Sequence, residues 1–329
     1  MTNSGKEPVE ISRVAKMNFL NEKTLEKQYK ESLSNFRQWE KGIDTEALVY
    51  PENFGQWMSI DETALYKGEL YTVITNKDRH GRKGCLAAII KGTKNEVVSK
   101  ALEKVPIEKR MAVKEITADL AESMDWICRT NFMNAKITAD RFHVQQVVSE
   151  AVQEIRINLR REAIDEENEL IVEAKKERRS YHPKRFPNGD TKKQLLARGR
   201  YLLFKPNNRW SASQKERADI LFREYPQIKK AYDFSMYFRG IFESAKTKED
   251  AQKRLVAWMD NVSASAVPTL ISAANTINNN LGKILNYFPD GSTNASAESF
   301  NAKLKGFRSM VRGIRDIKFF LFRISTFYA

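Results

Sequence analysis

From residue 57 to residue 92 the apolar positions fall in short, largely β-branched runs, at 57–61, 70–75 and 85–90, separated by Gly68 and by the Asp78-Arg79-His80-Gly81 cluster. Runs of this length bounded by turn-forming residues predict a three-stranded antiparallel meander. The period then changes. Val97, Val98, Ala101 and Val105 lie on one helical face, and Pro106 stops that helix. Two more strands are predicted at 113–118 and 135–139, with a helix over 121–132 between them; each strand runs into an aspartate, Asp119 and Asp140. The order β-β-β-α-β-α-β, with short helices between the later strands, predicts parallel neighbours joined by right-handed crossovers. Ligands of such sheets collect beyond the carboxyl ends of the strands.

Beyond Asp140 the strand signal fades. Val144, Val147, Val148, Ala151, Ile155 and Leu159 keep one apolar face over residues 142–164. Helical patterns follow near 195–203, 213–225, 228–243, 248–261 and 268–280. Pro289-Asp290-Gly291 is a turn signal. A last helix then starts near Asn294 or Ser296, and Glu298, Asn301, Lys305, Arg308 and Arg312 share one of its faces. Residues 1–50 are polar and read as an arm with one helix over 25–39. The expected organisation is an arm (1–50), the first part of an α/β core (51–164), a helical insertion (165–285) and the end of the core (286–329).

Composition adds a partner. The chain has 329 residues and a formal net charge of +14. Such an excess suggests a polyanion, nucleic acid ahead of an anionic membrane. No run of about 18 apolar residues is present, and no secretory apolar core follows the N-terminus, so a cytoplasmic, nucleoid-associated protein without a membrane partner is expected. Residues 175–217 hold 14 Lys and Arg against 3 Asp and Glu, interleaved with aromatic residues. Arg178, Arg179, Lys184, Arg185, Lys192 and Lys193 there are candidate phosphate contacts, and Trp210 is a candidate stacking surface for an unpaired base. Cys85 and Cys128 are too far apart for a CxxC zinc site and read as reduced thiols.

The candidate chemistry rests on acids at strand ends. Asp61 closes the first strand of the meander, Asp119 the fourth, and Glu298 lies on the last helix. Carboxylates from separate elements are what a pair of hard divalent ions needs for cutting a phosphodiester. His80, His143 and His182 are too scattered for a histidine-based site, and Glu62, beside Asp61, reads as a solvated residue of the opposite face.

Ile60-Asp61-Glu62, Thr117-Ala118-Asp119, the Asp140-Arg141-Phe142-His143-Val144 box and Thr293-Asn294…Glu298…Asn301-Ala302-Lys303-Leu304-Lys305 resemble the DDE transposases of bacterial insertion sequences. The nearest likeness is to the ISL-three group, and more broadly to Mutator-like enzymes, over roughly residues 55–160 and 285–325. That resemblance implies an α/β fold: an RNase H-like mixed sheet with a large all-α insertion before the final catalytic helix. It implies Asp61, Asp119 and Glu298 as catalytic metal ligands, with Asp140 and His143 as an accessory element, or Asp140 in place of Asp119. Two Mg²⁺ ions are implied, replaceable by Mn²⁺, with Asn301, Lys303, Lys305 and Arg308 near the DNA. The implied partners are element ends and target DNA, another copy of the chain, and a separate DNA-binding protein from an adjacent reading frame, because no zinc finger or helix-turn-helix is recognisable. A nuclease that cuts without joining and an inactive DNA-binding relative are the competing readings.

Overall fold

The computed structural model describes residues 2, 3, 7, 8, 10–288, 295–310 and 316–329; of residues 2, 3, 7, 8, 295–299, 301 and 310 it describes the backbone alone. The chain divides into two units, one of Met1–Asp140 with Gly291–Ala329 and one of Arg141–Asp290.

In the first unit, two dipeptide strands, β1 (Thr2–Asn3) and β2 (Glu7–Pro8), pair antiparallel. Helices α1 (Ile11–Met17), α2 (Glu22–Gln28) and α3 (Phe36–Gly42) follow. The single helix expected over 25–39 is therefore two pieces. A π-helical turn, Tyr29–Leu33, ends at Ser34, whose extended backbone breaks the run. Nor is this segment a free arm. Phe36 is buried against Phe319 and Phe322, and Leu25 closes a small cluster with Ile11 and Ala15.

The sheet has six strands: β3 (Ala47–Val49), β4 (Trp57–Tyr66), β5 (Glu69–Asn76), β6 (Leu86–Lys91), β7 (Glu115–Ala118) and β8 (Lys136–Ala139). Their spatial order is β3-β6-β5-β4-β7-β8. β4, β5 and β6 form the antiparallel meander, β3 adds an antiparallel edge, and β7 and β8 run parallel to β4. Setting β3 aside, this is the RNase H-like mixed sheet. The parallel strands are reached through α4 (Asn95–Leu102) with α5 (Ile107–Met111), and through α6 (Glu122–Asn131).

Alternation along β4 sets the two faces. Met58 and Ile60 enter one core with Ile74, Ile116, Ala118 and the helices α4 and α6. The opposite face carries Val73, Leu65 and Ile89, packed with Phe300, Leu304 and Phe307 of α14 (Ala295–Met310) and Phe320, Leu321 and Ile324 of α15 (Ile317–Tyr328).

The regular elements among the described residues of the second unit are all helices. α7 (Arg141–Lys176) runs for 36 residues, about 54 Å at 1.5 Å per residue. α8 (Lys192–Arg198), α10 (Pro226–Ser244) and α12 (Pro268–Asn279) pack against it, and α9 (Ala212–Glu224), α11 (Lys248–Ala264) and α13 (Leu281–Leu285) complete the unit. Ser211 and Gln214 cap α9 reciprocally, the S-x-x-Q box of a helix start. Trp258 is fully buried, its ring 4.7 Å from Phe238 and its indole N–H donated to the Phe234 carbonyl at 3.0 Å. This helical segment lies in sequence between β8 and α14. Among the described residues no helix is long and apolar enough to cross a membrane.

Candidate active site

Strand register brings the sequence-predicted acids of the sheet into one row. Ser59 on β4 pairs with Thr117 on β7, so two residues further on Asp61 stands level with Asp119. Ala118 pairs with Ala139 on β8, so one residue further Asp119 stands level with Asp140. The Asp140 N–H donates to the Ala118 carbonyl at 2.8 Å, which continues that register beyond the strands. Neighbouring strands lie about 4.8 Å apart. Level residues point to the same face, and for Asp61 this is the face of Ser59 and of its β5 partner Val73.

Local turns hold the carboxylates. Asp61 Oδ1 accepts the N–H of Glu62 at 2.8 Å. Asp119 Oδ1 accepts the N–H of Ala121 at 2.9 Å, an Asx turn that carries β7 into α6. Among the described residues no Lys, Arg or His pairs with Asp119, and its Oδ2 has no protein partner. Asp140 differs in burial, with only 3% of its surface exposed, whereas Asp61 and Asp119 are half-buried.

Glu62 departs from the sequence reading. Backbone alternation sends it to the other face, but the residue is half-buried, not solvated. Burial first, then the negative charges of Asp119 and Asp61, raise its carboxyl above the usual range. Sequence spacing could not show this, because the strand partners that bring Asp119 alongside are nearly 60 positions away. The concentration of negative charge, with no protein cation on Asp119 or Glu62 among the described residues, suits a hard cation.

Further back on the Asp119 face, charge is balanced internally. Glu115, only 1% exposed, meets Lys77 Nζ at 3.1 Å through Oε1 and Lys136 Nζ at 3.1 Å through Oε2. Lys77 also donates to Thr117 Oγ1 at 2.9 Å. This network ties the turn after β5 to β7 and β8. Nothing in the sequence singled it out, because the lysines come from separate elements.

The side chains of Glu298 and Asn301 lie outside the described residues. The helix that carries them is placed by its neighbours. Phe300, two positions after Glu298, is buried with Val73 on the face to which Asp61 points. Lys303 Nζ donates to the Gly81 carbonyl at 2.8 Å and Arg308 Nη1 to the Ala64 carbonyl at 3.4 Å, so both help hold α14 on the sheet; Lys305 is exposed. Among the described residues no group of three or more His, Cys, Asp or Glu is arranged to hold a metal ion.

In the helical unit the basic run is partly neutralised. Lys192 pairs with Glu166 at 2.8 Å, Lys193 with Glu167 at 2.6 Å, and Arg179 with Glu177. Arg185 donates to the Gly189 carbonyl at 2.8 Å. Arg178, in a left-handed conformation at φ 54°, and Lys184 are exposed, with no protein partner among the described residues. The Trp210 ring lies 5.4 Å from that of Tyr232 and 6.1 Å from that of Phe222, and its indole N–H bonds to the Leu202 carbonyl at 2.9 Å. That ring is built into the unit's own packing. His143 meets Phe142 edge-on at 5.6 Å.

A mixed sheet in the order β6-β5-β4-β7-β8, with acids on β4 and just past β7 and an all-helical unit between β8 and α14 in sequence, is the plan of an RNase H-like transposase. The family model for ISL3-type DDE enzymes, described as Transposase, matches residues 58–324, and the chain belongs to this family. No curated protein matches the chain.

Proposed function

We propose that this chain cuts the ends of an insertion element and transfers the freed 3′-OH strand to target DNA, using two divalent ions held by Asp61, Asp119 and Glu298. The observation that carries this reading is the register that sets Asp61 and Asp119 level, on the face that α14 covers, with no cationic side chain on Asp119 among the described residues. Magnesium, or manganese in its place, supplies neutralisation of charge at the phosphorus and an activated oxygen nucleophile.

The chain's own residues prepare that site. The Glu62 and Ala121 N–H groups fix the rotation of Asp61 and Asp119. Glu62 adds negative charge that strengthens the pull on a cation. The Glu115 network keeps β7 in register with its neighbours, and so keeps Asp119 level with Asp61. Asp119 is preferred to Asp140 as the middle acid because it is open to solvent and Asp140 is sealed. Arg178 and Lys184 grip phosphates, Lys305 does so from α14, and a DNA-binding partner and a second copy of the chain complete the cytoplasmic assembly.

The test is incubation of the purified chain with duplexes carrying element ends, target DNA and Mg²⁺. Nicked and joined products are expected, both lost in Asp61→Asn. Nicking without joining makes the chain a nuclease, and a mobility shift without any cutting makes it an inactive DNA-binding relative; either result overturns the reading.

A further inference from the structure

Among the described residues two arginines are almost wholly buried, and they are treated very differently. Arg156 on α7, 6% exposed, donates Nε–H to Gln153 Oε1 at 2.7 Å and Nη1–H to the Leu196 carbonyl at 3.0 Å. It is a satisfied structural residue. Arg323 on α15 is 4% exposed, and its Nε makes no hydrogen bond among the described residues. Among the described residues no carboxylate pairs with it and no carbonyl accepts from it.

What surrounds Arg323 is aromatic. Its guanidinium carbon lies 4.6 Å from the centre of the Phe307 ring on α14. Stacking of this kind orients the planar fork but leaves its in-plane donors unused. The ionisable groups whose charges reach it are Tyr29, at the start of the π-helical turn, and Glu26 on α2; Glu26 is exposed and forms no ion pair with it. Burial itself opposes the charge. A buried cation left without an anion costs several kcal/mol in general, and a chain under selection for stability alone would place an apolar residue there.

We infer that Arg323 is an oxyanion socket in the first unit, oriented by Phe307 and filled by a phosphate group, with the DNA backbone as its source. Phosphate suits the geometry because a planar fork can donate two parallel bonds to two of its oxygens. It suits the chain because the excess of 56 Lys and Arg over 42 Asp and Glu draws polyanions in general. The socket is separate from the carboxylate row: it needs no metal and takes no part in bond breaking. It rests on DNA being the substrate of this transposase, not on any assignment of the catalytic acids.

The experiment compares wild type, Arg323→Met and Arg323→Lys as full-length protein, without divalent metal. Two readouts are taken: thermal stability with and without inorganic phosphate, and duplex affinity as a function of salt. The inference expects Arg323→Met to melt higher than wild type in the absence of anions. Phosphate should stabilise wild type but not Arg323→Met. Duplex affinity should fall about tenfold, with the salt slope reduced by about one. Arg323→Lys, which keeps the charge and loses the fork, should fall between. If phosphate stabilises wild type and duplex binding is untouched by both substitutions, the DNA assignment is overturned and a free anion is the ligand. If neither phosphate stability nor duplex binding responds, Arg323 is only a buried charge and the socket is overturned. Should Arg323→Met fail to fold, the phosphate response of Arg323→Lys decides the matter, and a full wild-type response overturns the inference.

Discussion

Asp61 on β4 and Asp119, the first residue past β7, each lie two positions beyond the paired Ser59 and Thr117, so the parallel register carries them to the same level. They are 58 positions apart in the chain. Their proximity is a product of register, and any slip of one residue between β4 and β7 would turn one of them to the other face. The negative charges of Asp119 and Asp61 both act on Glu62, whose carboxyl is raised above the usual range by burial first and then by these charges.

The first prediction concerns the divalent cation. Mg²⁺ should raise the melting temperature of the wild-type chain, since a ligand at 100 times its dissociation constant adds about 2.7 kcal/mol. Asp119→Asn should melt no lower than wild type without metal, and its Mg²⁺ response should be nearly absent. A differential scanning measurement with a Mg²⁺ series, then with EDTA, checks both.

The second concerns the middle acid. Asp119→Asn should reduce strand cleavage by about a thousandfold, the scale of losing a principal electrostatic contribution to the transition state. Asp140→Asn should reduce it far less and act mainly on stability, because its side chain is buried. Cleavage rates on a labelled end duplex, read beside melting curves, separate the two. The reverse ranking would make Asp140 the ligand.

A third follows from the helical unit. Asp190 is fully buried and is held by both Arg198 and Arg217. Burial raises its carboxyl, but the hydrogen bonds and charges of Arg217 and Arg198 outweigh that and leave it below the usual range. A depressed acid stabilises the fold above its unfolded value of 3.8 and loses that contribution as pH falls through the lower folded value. Unfolding measured from pH 6 to pH 2 should show this acid limb below about pH 4. In Asp190→Asn the limb should shrink, at a cost of about 1–3 kcal/mol at neutral pH from weakening the charge-assisted bonds to Arg217 and Arg198.

The fourth separates engaged from available basic residues. Arg178→Ala with Lys184→Ala should lower the salt slope of duplex binding by about two, one for each lost phosphate contact. Lys192→Ala with Lys193→Ala should lower it less, since those lysines already sit against Glu166 and Glu167. Equal effects would mean that the surface pairs give way to DNA without cost.

Much of the sheet was legible because β-branched runs alternate and turn residues bound them. The meander, the two parallel strands and their closing aspartates all lie within a few residues of the expectation. β4 nevertheless runs on to Tyr66, because Glu62, Thr63 and Ala64 pair with Thr72, Tyr71 and Leu70, and pairing is invisible in local composition. α7 continues twelve residues past the end of its apolar stripe at 164. Its charged last turns are good helix formers, and Glu166 and Glu167 meet lysines of α8. The three-residue strand β3 is too short to carry a period. α15 is buried nearly all round, so its phenylalanine-rich sequence has no polar face to mark it as a separate helix. At the site, the aspartates were legible as acids at strand ends. The part of Glu62 was not, because it depends on Asp119 arriving from a different strand. The expected use of Trp210 as a base-stacking surface meets a ring already packed on Tyr232 and Phe222.

The most direct measurement replaces Mg²⁺ by Fe²⁺ in the DNA-bound protein and adds peroxide and ascorbate, so that radicals made at the bound ion cut the nearby polypeptide. Fragments ending close to Asp61, Asp119 and Glu298, suppressed by excess Mg²⁺ and absent from Asp61→Asn, are the predicted result. Cuts confined to other segments, or a pattern indifferent to Mg²⁺ and to Asp61→Asn, would show that these carboxylates do not share an ion.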